Sequence, residues 1–264
     1  MKIIACIKQV PGTTKVDIDE KTGVLKRDGA EAKLNPYDLY TIEAAVRLAA
    51  AYGGEVTAVT MGPPQAVAAL REALAMGADR AVLISDKAFA GADVLATAYA
   101  LSQSIARLGE YDLILCGKQT TDGDTAQVGA ELAELLDIPH VANVTTVLEV
   151  DDWHVTAEAD MDNYVYTVRL ERPCLLALDK GDYTPRLPSY RRMQRTKHDE
   201  IPVITLEDLA DQNSAHFGLS GSPTQVERIF PPESSAEQQA ISGDAEEIAD
   251  EIYRLLVERK LIGG

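Results

Sequence analysis

The chain has 264 residues, 46% of them hydrophobic, enough for one large domain, or one domain with a substantial appendage, around a real core. Its 25 basic and 42 acidic side chains leave a formal charge of -17, which opposes binding to nucleic acid or an anionic membrane through a general field and equally suits a plain solvated surface. Cys6, Cys116 and Cys174 are far apart without a CxxC, and His140, His154, His198 and His216 form no ligand-spaced cluster, so no metal site is expected from them.

The start, "MKIIACIKQV", is too short and too strand-like for a secretory leader, and no apolar stretch reaches transmembrane length. The chain therefore reads as a reduced, cytoplasmic protein without membrane insertion. "KIIACIK" (2–8) is a short apolar strand, and "DLYTIEAAVRLAAAYG" (38–53) is helix-like with a closing glycine. "GEVTAVTMG" (54–62) is a β-branched strand, followed by a helix over "QAVAALREALAMGA" (65–78). "RAVLISD" (80–86) is a strand and "GADVLATAYALSQSIARLG" (91–109) a helix, with Asp93 near its start. "YDLILCG" (111–117) and a helix from about Thr125 to Leu136 complete the series.

Strands alternating with helices of this length imply a parallel sheet covered on both faces. After Pro139 the texture changes to "VTTVLEV", "WHVTAEA", "YVYTVRL" and "PCLLALD", with "DMDN" (160–163) as a hairpin turn, which reads as an antiparallel excursion. A turn-rich, basic stretch (180–200) follows, then the weakly periodic "DQNSAHFGLSGSPTQ" (211–225) and a terminal amphipathic helix. The weakly periodic run suits either an arm wrapping a partner or a linker.

Open parallel sheets bind ligands beyond the carboxyl ends of their strands. Here those ends are Cys6–Pro11, Thr60–Pro64 and Cys116–Asp124, with "LNPYDL" (34–39) nearby, where Asn35 and Asp38 are candidate caps and Pro36 a first-turn residue. The segment "GKQTTDGDTAQVG" carries the most. Gly117 and Gly123 allow close approach, Thr120, Thr121 and Thr125 supply hydroxyls, Gln119 and Gln127 amides, and Lys118 a cation. Helix N–H groups after Thr125 would face a phosphate. Against this, there is no GxGxxG and no Walker spacing, and Asp122 and Asp124 repel a diphosphate unless they meet ribose hydroxyls. Asp124 also fits a structural helix N-cap. A nucleotide site and a plain strand-to-helix turn both remain open, and no catalytic constellation stands out; Glu131 and Glu134 sit on a helix face that reads as solvated.

Taken together, "CIKQVP", "NPYDLYTIEAAVRL", "VTAVTMGPPQAVAALREALAMGADRAVLI" and "LILCGKQTTDGDTAQVG" resemble the beta (small) subunit of electron transfer flavoprotein over residues 1–210, and the tail fits too. "YTVRLERPCLLAL" resembles the segment by which this family is commonly recognised. The resemblance implies a Rossmann-like α/β domain of adenine-nucleotide-hydrolase-like topology over 1–210, with the excursion at about 140–180. It also implies an arm and helix over 211–264 that contact an alpha subunit in an obligate heterodimer. The implied nucleotide site comprises Cys6, Asn35, Pro36, Tyr37, Asp38, Met61 and the run Gly117, Lys118, Gln119, Thr120, Thr121, Asp122, Gly123, Asp124, Thr125, Ala126, Gln127 and Val128.

Ordinary members hold AMP there. Bifurcating members hold FAD that accepts hydride from NADH and splits the pair between a low-potential acceptor, ferredoxin or flavodoxin, and a path through the alpha-subunit FAD to an acyl-CoA dehydrogenase or related partner. Gly123 with the small Thr125 and Ala126 resembles the bifurcating version, so FAD is expected over AMP. The basic stretch Lys180–Lys197 corresponds to the family's partner-recognition loop. An adenine-nucleotide-binding regulatory protein of the universal-stress type is the alternative from another class, but it leaves the C-terminal arm without a role.

Overall fold

Alternation along the central strands assigns their side chains to two opposite cores. In β1 (Lys2–Cys6), Ile3 and Ala5 enter one apolar cluster and Ile4 and Cys6 the other. The computed structural model describes residues 1–12, 32–227 and 240–262, which fall into two compact units, Met1–Glu227 and Arg228–Gly264.

In the first unit β1 is followed by β2 (Gln9–Pro11), β3 (Ala32–Leu34), α1 (Pro36–Tyr52), β4 (Glu55–Met61), α2 (Val67–Met76), β5 (Arg80–Ile84), α3 (Val94–Leu108), β6 (Leu113–Gly117) and α4 (Val128–Leu135). Then come β7 (His140–Val150), β8 (His154–Met161), β9 (Tyr164–Glu171), β10 (Cys174–Leu178), α5 (Tyr190–Thr196), β11 (Val203–Ile204) and α6 (Gly218–Gly221). One nine-stranded sheet runs in the order β11-β5-β4-β1-β6-β10-β7-β8-β9, and β2 and β3 form a separate antiparallel pair. Helices α1 and α2 cover one face, α3 and α4 the other. This is the expected Rossmann-like α/β architecture.

Neighbours from β11 to β7 are parallel; β8 and β9 add the antiparallel excursion. The "DMDN" hairpin is present, with Asp162 in the left-handed region at φ 60°. One expectation is corrected here. "PCLLALD" does not belong to the excursion, because β10 inserts between β6 and β7 and pairs parallel to both. Its five residues are all buried, as a strand covered on both faces requires.

Two further findings concern the chain after the sheet. Residues 211–227 belong to the first unit: Phe217 is fully buried, with ring centroids 5.5 Å from Phe89 and 5.2 Å from Tyr99. Asp93 caps α3 by accepting from Ala96 N, and its other oxygen accepts from Thr224 N and Oγ1 at 3.0 and 2.7 Å. The 180–200 stretch is tied down by Glu43, which accepts from Arg186 Nε at 2.6 Å and from Arg47 Nε at 2.6 Å, and by Arg192, which donates to the carbonyls of Leu74 in α2 and Ala78 just beyond it. These bonds hold the stretch down while Leu187 and Tyr190 stay exposed.

In the second unit, α7 (Ala245–Glu258) opens with a capping box between Asp244 and Glu247. Its apolar Ile252, Tyr253 and Val257 are exposed. Of the expected arm, residues 228–239 and 263–264 lie outside the described residues. No helix among the described residues is long and apolar enough to cross a membrane.

Candidate functional site

Strand order locates the candidate ligand edge. From β1 the chain winds outward through β4 and β5, then returns to β6 on the opposite side of β1. The order therefore reverses between β1 and β6, and a crevice at the carboxyl ends of the two strands on either side of such a point is where this architecture binds ligands. Cys6 and Cys116 are paired across that boundary, and both are buried. Met61 ends β4 at the same sheet edge, half-buried and packed on the α3/α4 core.

A buried carboxylate joins the strand ends. Asp38, in the first turn of α1, is 3% exposed and accepts from Lys8 N at 2.6 Å and from Asn35 Nδ2 at 2.9 Å. Burial pushes its carboxyl up to about 7, against the pull of the Asn35 and Lys8 hydrogen bonds. Asn35, fully buried, does more than an N-cap. Its amide also donates to Gln119 O at 2.9 Å, and its Oδ1 accepts from Thr121 N at 3.3 Å. The capping role expected of Asn35 and Asp38 is thus replaced by a clamp, since α1 has no side-chain cap and Pro36 alone sets its first turn. Gly117 is obligatory in this clamp: a Cβ there would stand under 3.0 Å from Asp38 Oδ1 and at 3.0 Å from Tyr37 Cβ.

Beyond the clamp the loop rises into solvent. Lys118 donates its backbone N–H to Leu178 O at 2.7 Å, and its Nζ pairs with Asp179 at 2.9 Å, an interaction that raises the ammonium pKa. Lys8 Nζ reaches Asp122 at 2.8 Å; burial pushes that carboxyl up, but the Lys8 bond and its companions outweigh it and leave it below the ordinary range. Thr121 to Gln127 are exposed. Asp124 and Ala126 take left-handed backbone at φ 53° and 57°, and Asp124 accepts from Gln119 Nε2 at 2.6 Å. These two residues delay the helix, so α4 begins at Val128, not near Thr125, and Asp124 is not its N-cap. Gln127 occupies that position without a side-chain capping bond.

The structure thus brings Cys6, Asn35, Pro36, Tyr37, Asp38 and Gly117 to Asp122 into one linked edge, with Gly123 to Gln127 as its exposed rim, Val128 half-buried at the start of α4 and Met61 one strand away. Lys8 escaped the sequence reading, although it stands in "CIKQVP" directly after the strand; only the fold reveals its Asp122 partner. Glu131 is a second omission. It was expected on a solvated face, yet its Oε2 is buried without a hydrogen-bond partner, and burial together with the Asp93 charge raises its carboxyl. Among the described residues no cluster of His, Cys, Asp and Glu has metal-binding geometry.

Sheet order, two-sided helix cover and a loop clamped at the strand-order reversal define a Rossmann-like α/β protein. Residues 22–209 match the electron transfer flavoprotein domain. The chain is 41% identical over 264 residues to the electron transfer flavoprotein subunit beta of Thermoanaerobacterium thermosaccharolyticum, covering 99% of this chain and 100% of that one. It is 42% identical to protein FixA of Rhizobium meliloti over 91% of this chain and 84% of FixA. It is 39% identical to the caffeyl-CoA reductase-Etf complex subunit CarD of Acetobacterium woodii over 99% of this chain and 100% of CarD. The chain belongs to the electron transfer flavoprotein family, in its beta-subunit and FixA group.

Proposed function

We propose that this chain is the beta subunit of a heterodimeric, electron-bifurcating electron transfer flavoprotein and that the clamped edge holds FAD. The observation that carries the cofactor reading is Gly123. A Cβ there would meet nothing nearer than Thr120 Oγ1 at 3.8 Å, so its hydrogen is not demanded by packing within the chain. Room at the exposed turn before α4 suits a second phosphate. The likeness to CarD, a subunit of a caffeyl-CoA reductase-Etf complex, supports the same reading.

The residues present fit such a group. Asn35 and Asp38 fix the loop, Gly117 permits its approach to α1, Lys8 and Lys118 supply cations, and Thr120, Thr121 and Thr125 supply hydroxyls. Asp122 and Asp124 face ribose hydroxyls in this reading. When bound, the flavin supplies the redox chemistry, taking a hydride from NADH and passing electrons to ferredoxin or flavodoxin and, through the alpha-subunit FAD, to an acyl-CoA dehydrogenase-type partner. The chain's own task is to bind, orient and exclude water. The exposed apolar stripe of α7 suits an alpha subunit, and exposed Leu187 and Tyr190 beside Arg191 and Arg195 suit a dehydrogenase surface. A division into a nucleotide domain and an alpha-contacting arm follows from the same reading, and so does a cytoplasmic location.

Counting nucleotides in the purified heterodimer tests this. Two FAD and no AMP are expected; one FAD with one AMP would establish the ordinary reading instead. NADH reduction with and without ferredoxin then separates bifurcation from occupancy. Gly123→Asp is expected to change unfolding free energy by less than about 0.5 kcal/mol, as an exposed substitution in open space does. The same substitution is expected to weaken FAD retention at least about tenfold, through charge and bulk against the diphosphate. Retention equal to wild type would remove Gly123 from the site.

A further inference from the structure

The basic stretch is tied down on both sides of Leu187. On the amino side Glu43, 3% exposed in the middle of α1, takes three bonds from Arg186: from its backbone N at 3.1 Å, Nε at 2.6 Å and Nη2 at 3.1 Å. On the carboxyl side Ser189 N donates to Ala75 O in α2 at 2.9 Å. Only Leu187 and Pro188 lie between, and Leu187 is 89% exposed. We propose that Glu43 is a positioning residue for docking: by gripping Arg186 it holds Leu187, already ordered, for an apolar pocket on an acyl-CoA dehydrogenase-type partner. This rests on the reading of the stretch as a dehydrogenase surface.

Covalent chemistry stiffens the bridge between the two ties. Pro188 fixes its own φ and confines Leu187, the residue before it, to extended backbone. The grip itself is of the strong kind. Exposed ion pairs contribute little, but the Glu43 carboxylate is covered and both its oxygens are filled. Oε2 accepts from Arg186 N and Nε, and Oε1 accepts from Arg186 Nη2 and from Arg47 Nε at 2.6 Å, so the Arg186 fork is bidentate. The Arg47 guanidinium lies 5.9 Å from the ring centroid of buried Tyr183, whose hydroxyl accepts from Val147 N of β7 at 3.0 Å. The carboxyl side needs none of this. Arg192 reaches the Leu74 and Ala78 carbonyls, and Arg71 of α2 reaches those of Thr196 and Asp199. Removing the Glu43 charge therefore frees the Leu187 end and leaves α5 in place.

Leu187 is not a solitary surface leucine. Tyr190 and Met193, one turn apart on α5, are exposed as well, while Arg192 between them is turned to α2. Arg191 and Arg195 are exposed beside them, a cationic rim on a chain whose formal charge is -17. The complementary surface is an apolar pocket with an acidic edge. A bridge already held in shape spares the partner the cost of ordering it on association. Glu43 is covered by its own chain and touches no partner, yet through Arg186 it sets how much of that cost is left.

The test measures KM for the heterodimer in electron exchange with a purified acyl-CoA dehydrogenase. Glu43→Gln is expected to raise KM about tenfold while kcat at saturation moves less than about twofold. Leu187→Ala is expected to raise KM by a similar factor. In the double variant the two effects should not multiply, because Glu43 acts through Leu187. Arg186→Gln should reproduce Glu43→Gln, and it carries the test if Glu43→Gln fails to fold. A rise with Leu187→Ala but wild-type KM in the Glu43 and Arg186 variants overturns the positioning role and leaves the dehydrogenase surface standing. Effects that multiply in the double variant also overturn it, since general destabilisation does that. No effect of Leu187→Ala defeats the dehydrogenase reading, and the docking role with it. Hydrogen exchange in the heterodimer without dehydrogenase checks the grip alone: Glu43→Gln should expose the Arg186 amide and leave Ser189 protected. Protection lost at both amides, or at neither, overturns the grip.

Discussion

Gly117→Ala is expected to destabilise the chain by about 3 kcal/mol and to cut nucleotide retention at least tenfold. The new methyl group would stand within contact distance of Asp38 Oδ1 and press on Tyr37. An exposed neighbour would swing aside, but Asp38 has nowhere to go. It is 3% exposed and held by Lys8 N at 2.6 Å and Asn35 Nδ2 at 2.9 Å. Either Asp38 gives up a charge-assisted bond in a dry site, or β6 withdraws from α1 and takes the loop with it. Overpacking of this kind costs about 1–3 kcal/mol, and a weakened bond to a buried charge adds a similar amount. Gly123→Ala is the control, because its methyl group meets open space, and it should match wild type in urea unfolding. Equal midpoints for Gly117→Ala and wild type would show that the clamp is slack.

What the sequence made legible follows the range of the physical signal. Helix and strand periodicity is local, so β1, β4, β5, β6 and helices α1 to α3 stand close to where their patterns put them. The edge where the clamped loop meets the strand ends was legible too, because carboxyl ends of parallel strands are a topological consequence of βαβ winding. The partners of a strand are not local. "PCLLALD" reads as a short buried β run whether its neighbours are parallel or antiparallel, and only the completed sheet places β10 between β6 and β7. The loop misled for a different reason. Asp124 before a small-residue run has the composition of an N-cap, yet two left-handed residues postpone α4 to Val128. Asn35 and Asp38 likewise carried helix-start chemistry, and nothing in their spacing announces a Gln119 carbonyl or the close approach of Gly117 from about eighty residues away.

The weakly periodic run at 211–225 yields the other large prediction, because its single aromatic residue anchors it. Phe217 has no exposed surface and lies between Phe89 and Tyr99, at centroid distances of 5.5 and 5.2 Å. Phe217→Ala removes that ring from a packed site and is expected to cost about 3–5 kcal/mol. The backbone next to it cannot slide in to fill the space. Gly218 sits at φ 55°, with the Ala88 and Ala90 carbonyls so close that any Cβ there would collide with them. Leu219 N donates to Ala90 O at 2.9 Å, and Thr224 and Ser222 are fastened at Asp93. These polar ties are partly exposed, so without the ring they hold a segment that has little else to bury. Loss should therefore be partly local: protease cleavage within 211–227 ought to appear in the variant at denaturant concentrations where β1, β4 and β6 remain protected from exchange. Because the segment ends on the first turn of α3, at the sheet edge where the clamped loop lies, FAD retention should fall in parallel with that local opening. A variant that unfolds within about 1 kcal/mol of wild type and resists cleavage would show that the segment is held by its hydrogen bonds and not by Phe217.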